Sequence, residues 1–240
     1  MTFEVRVFEY LVLSVFIAPF SLKFAGMDKK GSLAAFFVGF FVYVSLGFSG
    51  FLVLLSLHVI GAAVTRTGYN RKQESGIAQK KRSFENVCAN GFVPALAAVS
   101  GAIFTDFSSL FYVAYVSTIA AATADTVSSE LGELSRSKPK LITTFKKVDV
   151  GTDGAVSALG TIAGVGGAAA IAIIAISLDS KSIPITLFSI ATVAGFSGTT
   201  IDSLLGATLE RGGKIGNDMV NFLSIGASFG ISIALYSAFA

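Results

Sequence analysis

Four acidic residues stand inside or beside apolar segments of the chain: Asp125, Glu130, Asp153 and Asp202. A carboxylate at such a position is costly unless it faces a partner or a water-filled cavity, so each is a candidate site residue. Two ionised carboxylates about 4 Å apart repel by roughly 4 kcal/mol at an effective dielectric of 20. A divalent cation or nearby basic residues would offset this repulsion. Mg²⁺ is the more suitable cation because one or two carboxylates commonly hold it together with phosphate oxygens.

Three of these residues also have a simpler interpretation. Asp125, Asp153 and Asp202 lie near the predicted ends of helices, where an aspartate can cap free backbone N–H groups. Capping is a sufficient explanation for any one of them, but a poor one for all of them together. The sequence leaves both interpretations open at each position.

Residues 140–154 combine hydroxyl groups, cations and glycines just before a predicted helix N-terminus. They read Lys-Leu-Ile-Thr-Thr-Phe-Lys-Lys-Val-Asp-Val-Gly-Thr-Asp-Gly. A helix N-terminus presents free N–H groups and the positive end of the helix dipole, which suit a phosphate. The spacing matches no Walker A motif, so an ordinary turn is the other interpretation of this segment.

The composition indicates that membrane-spanning segments must position these candidate site residues. Hydrophobic side chains make up 53% of the 240 residues and charged ones 14%, and the mean hydropathy is +0.74. An average soluble domain is about 25% charged, so we expect a single transmembrane domain over residues 1–240. The lipid bilayer is an expected partner and nucleic acid is not. One cysteine excludes an intramolecular disulfide.

The hydropathy pattern predicts an all-α, polytopic membrane helix bundle. A helix needs about 20 mostly apolar residues to cross the hydrocarbon core, and eight segments qualify or nearly do. They are residues 5–25, 31–48, 49–65, 86–104, 108–125, 154–178, 183–206 and 219–239. The polar loops 66–85 and 126–153 are expected to contribute to the site.

The distribution of basic residues predicts the orientation of the bundle. If eight spans alternate across the membrane, Arg6 and Lys181 are the only ones of the 18 Lys and Arg residues that fall on one side. Short basic loops stay in the cytoplasm. Both termini are therefore expected on the non-cytoplasmic side, with the acidic residues facing the cytoplasm.

Four stretches in chain order carry a resemblance to known proteins. The stretches are Arg82-Ser-Phe-Glu-Asn-Val-Cys-Ala-Asn-Gly, Ala124-Asp-Thr-Val-Ser-Ser-Glu-Leu-Gly, Pro139-Lys-Leu-Ile-Thr with Gly151-Thr-Asp-Gly-Ala-Val-Ser, and Asp202-Ser-Leu-Leu-Gly-Ala-Thr-Leu-Glu. Together they resemble one family, the membrane proteins related to plant phytyl-phosphate kinase and to animal transmembrane protein 19. The positions that depart from the family pattern are Asn86, Ala124, Ser128, Lys140, Asp153 and Glu210.

The resemblance implies a membrane kinase. It would transfer the terminal phosphoryl group of a nucleoside triphosphate, CTP in the expected case, to an isoprenyl (phytyl or geranylgeranyl) monophosphate, giving the diphosphate. Asp125, Glu130 and Asp202 are then the expected catalytic residues and Mg²⁺ ligands. The expected contacts to nucleotide and substrate phosphates are Arg82, Asn90, Ser129, Lys140, Thr143, Thr152, Asp153, Gly154, Ser157 and Ser203.

Two other functions remain open at this stage. A CTP-dependent cytidylyltransferase acting on a lipid phosphate would need a similar metal site. A small-molecule or ion transporter would also contain buried carboxylates and glycine-interrupted helices, although transporter sites lie near the bilayer midplane. The isoprenoid chain length, the preferred nucleotide and the oligomeric state are left open.

Overall fold

The computed structural model describes residues 2–23, 26–69, 73, 82–179 and 183–239, with positions 18, 20, 21 and 23 described as backbone alone. Helices dominate the described residues. They are α1 (Phe3–Lys23), α2 (Lys29–Arg66), α3 (Phe84–Ile103), α4 (Ser108–Gly132), α5 (Ala158–Leu178), α6 (Pro184–Leu205) and α7 (Asn217–Phe239). A 3₁₀ turn (Thr105–Phe107) precedes α4, and a π turn (Gly206–Glu210) continues α6.

Helix α2 is broken at Gly47 into two halves. Its 38 residues would extend about 57 Å as one straight helix, which is far more than a bilayer requires. Gly47 interrupts it with φ +73° and ψ −164°, a conformation in which glycine lacks the Cβ clash of other residues. The halves fold back on each other, because Gly31 and Gly61 both lie against Arg82. They correspond to the second and third predicted spans.

Helix α1 is hydrogen-bonded to the end of the first half of α2. Arg6 Nη1 donates to the carbonyl oxygens of Val44 and Ser45, at 2.7 and 3.0 Å. These carbonyls belong to the last turn before Gly47, where a helix leaves acceptors without intrahelical partners. The Tyr43 hydroxyl donates to Glu9 Oε2 at 2.9 Å nearby. Arg6 therefore lies at the end of the bundle away from Arg82.

Helix α4 is the central element, buried continuously from Val113 to Ala124. Small residues let two neighbouring helices approach it closely. Gly195 of α6 would place a Cβ 2.8 Å from the Cβ of Ala120. Gly164 of α5 would place one 3.4 Å from the carbonyl oxygen of Ala124. Glycine-mediated packing of this kind is typical of membrane helices, and it brings the acidic segments of α4 and α6 side by side.

The prediction of an all-α, multi-pass membrane protein is confirmed. Within the described residues, six helices are long and apolar enough to cross a membrane, and α2 counts as one of them. The exact number of spans and the side on which the termini lie stay predictions.

Two predicted boundaries are wrong, and both concern the loop expected at 126–153. Helix α4 continues to Gly132, so the first seven residues of that loop are helical. The sixth predicted span was expected to begin at 154, but α5 begins at Ala158. The intervening chain forms a two-stranded antiparallel pair, β1 (Lys140–Leu141) with β2 (Ala155–Val156). The hydropathy of a polar segment does not show whether that segment is helical, so neither boundary was visible in the sequence.

The loop expected at 66–85 lies largely outside the described residues, as do Arg71, Lys72, Lys80, Lys81 and Lys181. Helix α3 begins at Phe84, so the last two residues of that loop are helical. At the same end of the bundle, the backbones of Met27 and Arg82 form an isolated parallel β-bridge. Asp28 accepts from the Gly31 amide at 2.6 Å and caps the start of α2.

Candidate functional site

Two cavities adjoin at the Arg82 end of the bundle. The polar cavity, about 260 Å³, lies between α4, α6, the π turn and residues 150–157. The amphiphilic cavity, about 220 Å³, lies between α2, α3, α4 and α7. Both cavities are lined by Asp125, Ser129, Glu133 and Asn217. A group bound in one cavity would therefore meet a group bound in the other at these residues.

A pair of carboxyl groups forms one wall of the polar cavity. Asp125 of α4 and Asp202 of α6 lie within hydrogen-bonding reach of each other. Ser224 Oγ of α7 donates to Asp202 Oδ2 at 3.0 Å, which fixes the orientation of that side chain. Glu210 lies close enough to Asp125 and Asp202 to interact with them electrostatically. The arrangement gathers carboxyl groups from α4, α6 and the π turn at one cavity.

Residues 151–157 form the opposite wall of the polar cavity. The Ile142 amide donates to the Gly154 carbonyl oxygen at 3.1 Å, which ties the segment to the chain after β1. Gly154 has φ +72°, and a Cβ there would overlap the backbone nitrogen of Ala207. Ser157 Oγ accepts from the Gly160 amide at 3.1 Å and caps α5. Only glycine fits at 154, so the loop backbone packs directly on the π turn.

The amphiphilic cavity has one polar side and one apolar side. Its apolar side includes Val38, Leu54 and Leu57 from the two halves of α2. On the polar side, Asn90 Nδ2 donates to the Asn86 carbonyl oxygen at 2.9 Å. A ligand with a polar head and an apolar tail would match these two sides.

His58 also lines the amphiphilic cavity. Its Nδ1 lies 3.2 Å from the Leu54 carbonyl oxygen, the preceding turn of the same helix. This contact accounts for one ring nitrogen of His58 through a backbone carbonyl of its own helix.

Arg82 and Glu130 lie on the polar side of the amphiphilic cavity. Arg82 Nη2 lies 2.8 Å from the position of a Cβ on Gly61. One helical turn further along α2, Thr65 Oγ1 donates to Glu130 Oε1 at 2.7 Å. Burial lowers the pKa of the Arg82 guanidinium, and the negative charge of Glu130 opposes that shift. Glu130 therefore stabilises the charged form of a buried cation.

The similarity of the chain to known proteins shows the family to which it belongs. A family model described as "Integral membrane protein DUF92" matches residues 12–228. The chain belongs to this family. It is the family of phytyl-phosphate kinase and transmembrane protein 19 that the four stretches indicated. No solved structure matches the chain.

Relatives within the family cover nearly the whole chain. "Uncharacterized membrane protein MJ0933" of Methanocaldococcus jannaschii is 38% identical over 95% of this chain and 94% of that protein. "Uncharacterized membrane protein sll0875" of Synechocystis is 33% identical, with coverages of 92% and 90%. "Protein VTE6, chloroplastic" of Arabidopsis thaliana is 32% identical over 93% of this chain and 68% of that protein.

The structure brings most of the site residues expected for this family to one of the two cavities. Asp125 and Ser129 line both cavities. Arg82, Asn90 and Glu130 line the amphiphilic cavity. The polar cavity is lined by Thr152, Asp153, Gly154, Ser157, Asp202 and Ser203. Lys140 and Thr143 line neither, because β1 and the following turn expose both side chains.

The expected metal ligands do not meet as one set of three. Within the described ranges, no three His, Cys, Asp or Glu side chains lie close enough together to hold a metal ion. Asp125 and Asp202 are neighbours, whereas Glu130 bonds to Thr65 in the other cavity. Glu130 follows Asp125 by five residues, and residues on one face of a helix are three or four apart.

The capping interpretation of the aspartates is wrong. Asp125 lies inside α4, seven residues before its end, and Asp202 lies inside α6. Asp153 lies in the turn before β2, and the residue that caps α5 is Ser157.

Several polar residues that line the cavities were not among the predicted site residues, and Glu210 of the polar cavity is one of them. Asn217 and Glu133 line both, and Asn221 lines the amphiphilic cavity. A signal for two of them was available. Asn217 and Asn221 are one turn apart at the start of an apolar span. Burying an amide side chain there costs free energy unless it has a partner, so two amides on one face of the helix indicate a site.

Proposed function

We propose that the protein is a membrane kinase that phosphorylates an isoprenyl monophosphate at the expense of a nucleoside triphosphate, with CTP as the expected donor. The observation that carries the proposal is the shared wall of the two cavities. A soluble phosphate donor fits the polar cavity, and a lipid phosphate fits the amphiphilic one. Asp125 and Ser129 stand where the two would meet. The family relationship to phytyl-phosphate kinase supports this assignment.

The residues of the polar cavity suit a triphosphate that carries Mg²⁺. Backbone amides of a glycine-containing loop and the hydroxyl of Ser203 can donate to phosphate oxygens. The Thr152 hydroxyl donates to the Asp149 carbonyl oxygen at 2.7 Å and positions the loop. Asp125 and Asp202 would hold Mg²⁺. Two carboxylate groups suffice, because Mg²⁺ takes its remaining ligands from water and substrate phosphates. When bound, the ion would neutralise charge on the donor phosphates.

The proposed transfer balances without a protein base. A phosphate oxygen of the acceptor attacks the γ-phosphorus of the donor, and the bond from the γ-phosphorus to the β,γ-bridging oxygen breaks. The products are the isoprenyl diphosphate and a nucleoside diphosphate. The acceptor oxygen is already ionised near neutral pH, because the second pKa of a phosphate monoester is about 6. The chain therefore contributes mainly position and charge.

The depth of the acidic pair favours this reaction over transport. Asp125 is seven residues from the end of α4, or about 10 Å by helix rise. That depth is within reach of a soluble donor entering at the end of the bundle, whereas transporter sites lie at the midplane. We propose the cytoplasm as the compartment that this end faces.

The test is to incubate the purified protein with CTP, Mg²⁺ and geranylgeranyl or phytyl monophosphate and to identify the nucleotide product. CDP formation that depends on the lipid phosphate supports the kinase. Pyrophosphate in its place would assign a cytidylyltransferase. Neither product, together with solute uptake into vesicles that contain the protein, would assign a transporter.

A further inference from the structure

We infer that Arg82 binds the phosphate of the lipid acceptor and that Glu130, held by Thr65, is the residue that positions the Arg82 guanidinium. This inference rests on the proposed function and names the acceptor subsite within it. It also gives Glu130 a different role from the Mg²⁺ ligation that the family resemblance implies.

The backbone of Arg82 is fixed independently of its side chain. The Arg82 amide donates to the Gly26 carbonyl oxygen at 2.9 Å, and the Asp28 amide donates to the Arg82 carbonyl oxygen at 3.1 Å. These two bonds hold the residue against the start of α2. The side chain therefore leaves a fixed point and extends into the bundle.

The guanidinium lies in a narrow gap between the second half of α2 and α4. The absence of a side chain at Gly61 makes room for it, since a Cβ there would lie 2.8 Å from Arg82 Nη2. The methyl group of Thr126 lies 3.6 Å from the same point. The gap therefore leaves the guanidinium little freedom to move sideways.

Arg82 is the cation available to an anionic head group in the amphiphilic cavity. Among the described residues that line this cavity, it is the only Lys or Arg. The apolar side of the cavity, with Val38, Leu54 and Leu57, suits the isoprenyl chain next to the phosphate. A guanidinium can donate two parallel hydrogen bonds to one phosphate.

Glu130 supplies the charge that keeps this cation in place. It is 5% exposed, and Thr65 Oγ1 donates to one of its oxygens at 2.7 Å. Thr65 is one turn beyond Gly61 on α2, and Glu130 is one turn beyond Thr126 on α4. The carboxylate is thus aligned with the gap that holds the guanidinium, and it interacts with that guanidinium electrostatically.

The two roles of Glu130 make different kinetic predictions. The substitution Glu130→Gln retains an oxygen that accepts from Thr65 but removes the charge that faces Arg82. If Glu130 positions Arg82, the KM for geranylgeranyl monophosphate rises about tenfold, the usual worth of a charge-assisted hydrogen bond. The kcat, the KM for CTP and the half-saturating Mg²⁺ concentration stay unchanged. A Mg²⁺ ligand would instead raise the half-saturating Mg²⁺ concentration and lower kcat, and that result would overturn the inference.

A double variant tests whether Glu130 acts through Arg82. Arg82→Lys loses the planar fork and should also raise the acceptor KM. The combined Arg82→Lys and Glu130→Gln variant should then resemble Arg82→Lys alone, because residues that share one interaction are not additive. Multiplicative effects would contradict the inference. Asp106→Asn is the matched control, since Asp106 is exposed in the 3₁₀ turn and lines neither cavity.

A binding measurement separates this inference from the proposed reaction. The full-length protein is titrated in detergent, without nucleotide, with geranylgeranyl monophosphate and with geranylgeraniol. The wild type should bind the monophosphate more tightly than the alcohol, and Arg82→Lys and Glu130→Gln should weaken only the binding of the monophosphate. Equal binding of both lipids would overturn the acceptor subsite, whether or not the protein forms a diphosphate. Tighter binding of the monophosphate without catalysis would contradict the kinase alone.

Discussion

Asp125 of α4 and Asp202 of α6 face each other within hydrogen-bonding reach, and Ser224 Oγ holds Asp202 from a third helix at 3.0 Å. Their proximity follows from the packing one and two turns deeper in the membrane. There Gly195 and Gly198 allow α6 to approach Ala120 and Ala121 closely. Small residues in the apolar part of the bundle thus determine the geometry of the polar part.

Replacing either carboxylate by an amide should abolish diphosphate formation. Asp125→Asn and Asp202→Asn preserve side-chain shape but remove the charge that would hold Mg²⁺. We expect the rate to fall at least about 100-fold, equivalent to about 2.7 kcal/mol of transition-state stabilisation. The measurement is the rate of CDP formation with a saturating lipid phosphate.

The same two variants should remain folded, since a buried carboxyl pair is not a source of stability. Their thermal unfolding in detergent should match that of the wild type within a few degrees. Asp106→Asn is the control for activity and should be unaffected. Full activity in both Asp125→Asn and Asp202→Asn would remove the assignment of this pair.

A methyl group between α4 and α6 should reduce both stability and activity. In Gly195→Ala the new Cβ would lie 2.8 Å from the Cβ of Ala120 and 3.1 Å from its carbonyl carbon. The helices must move apart, and we expect a cost of about 1–3 kcal/mol. Gly226→Ala on α7 is the matched control, because nothing lies within 4 Å of its Cβ position. Equal melting temperatures for the two variants would contradict the packing.

Gly154→Ala should weaken binding of the nucleotide. The residue has φ +72°, and its Cβ would overlap Ala207 of the π turn, so the loop must leave the polar cavity wall. We expect the KM for CTP to rise about tenfold or more, while the acceptor KM changes little. Gly213→Ala separates the two causes, because Gly213 has φ +68° and no atom within 4 Å of its Cβ position. If both variants behave alike, backbone strain and not contact with Ala207 is responsible.

Most of the fold was predictable from the sequence, because each span is an apolar run of helical length. The break at Gly47 was predictable as well, since a straight helix through 29–66 would be too long for the bilayer. The polar extension of α4 to Gly132 was not. Its residues resemble a loop in hydropathy, and they pack as a helix against α5, where a Cβ on Gly132 would lie 3.3 Å from the Gly160 Cα.

The sequence identified most residues of the candidate site, but it did not show that they divide between two cavities. The family stretches identified Asp125, Glu130 and Asp202. The five-residue spacing separates Glu130 from Asp125 on the helix, but nothing in the sequence shows that Glu130 bonds to Thr65. Lys140 was expected at a phosphate because of its charge, but its strand exposes it to solvent. The pair Asn217 and Asn221, one turn apart, marks the start of α7 as unusual, but no pattern in the sequence relates that start to α4.

The orientation of the bundle can be tested by labelling single cysteines. In a Cys88→Ala background, Ser137→Cys lies at the end of the bundle that contains the site, and Ser109→Cys lies at the opposite end; both positions are exposed. A membrane-impermeant maleimide applied to sealed spheroplasts should label Ser109→Cys and spare Ser137→Cys, as the positive-inside rule requires. The reverse pattern would place the site outside the cytoplasm.

The most direct test of the central claim follows the γ-phosphorus of the donor into the lipid product. Purified protein is given CTP labelled with ³²P at either the γ or the α position, together with geranylgeranyl monophosphate and Mg²⁺, and the lipid is extracted. The proposed transfer predicts that the γ label appears in geranylgeranyl diphosphate and that the α label stays in water-soluble CDP. Recovery of the α label in the lipid, or of neither label, would contradict a kinase that works across Asp125.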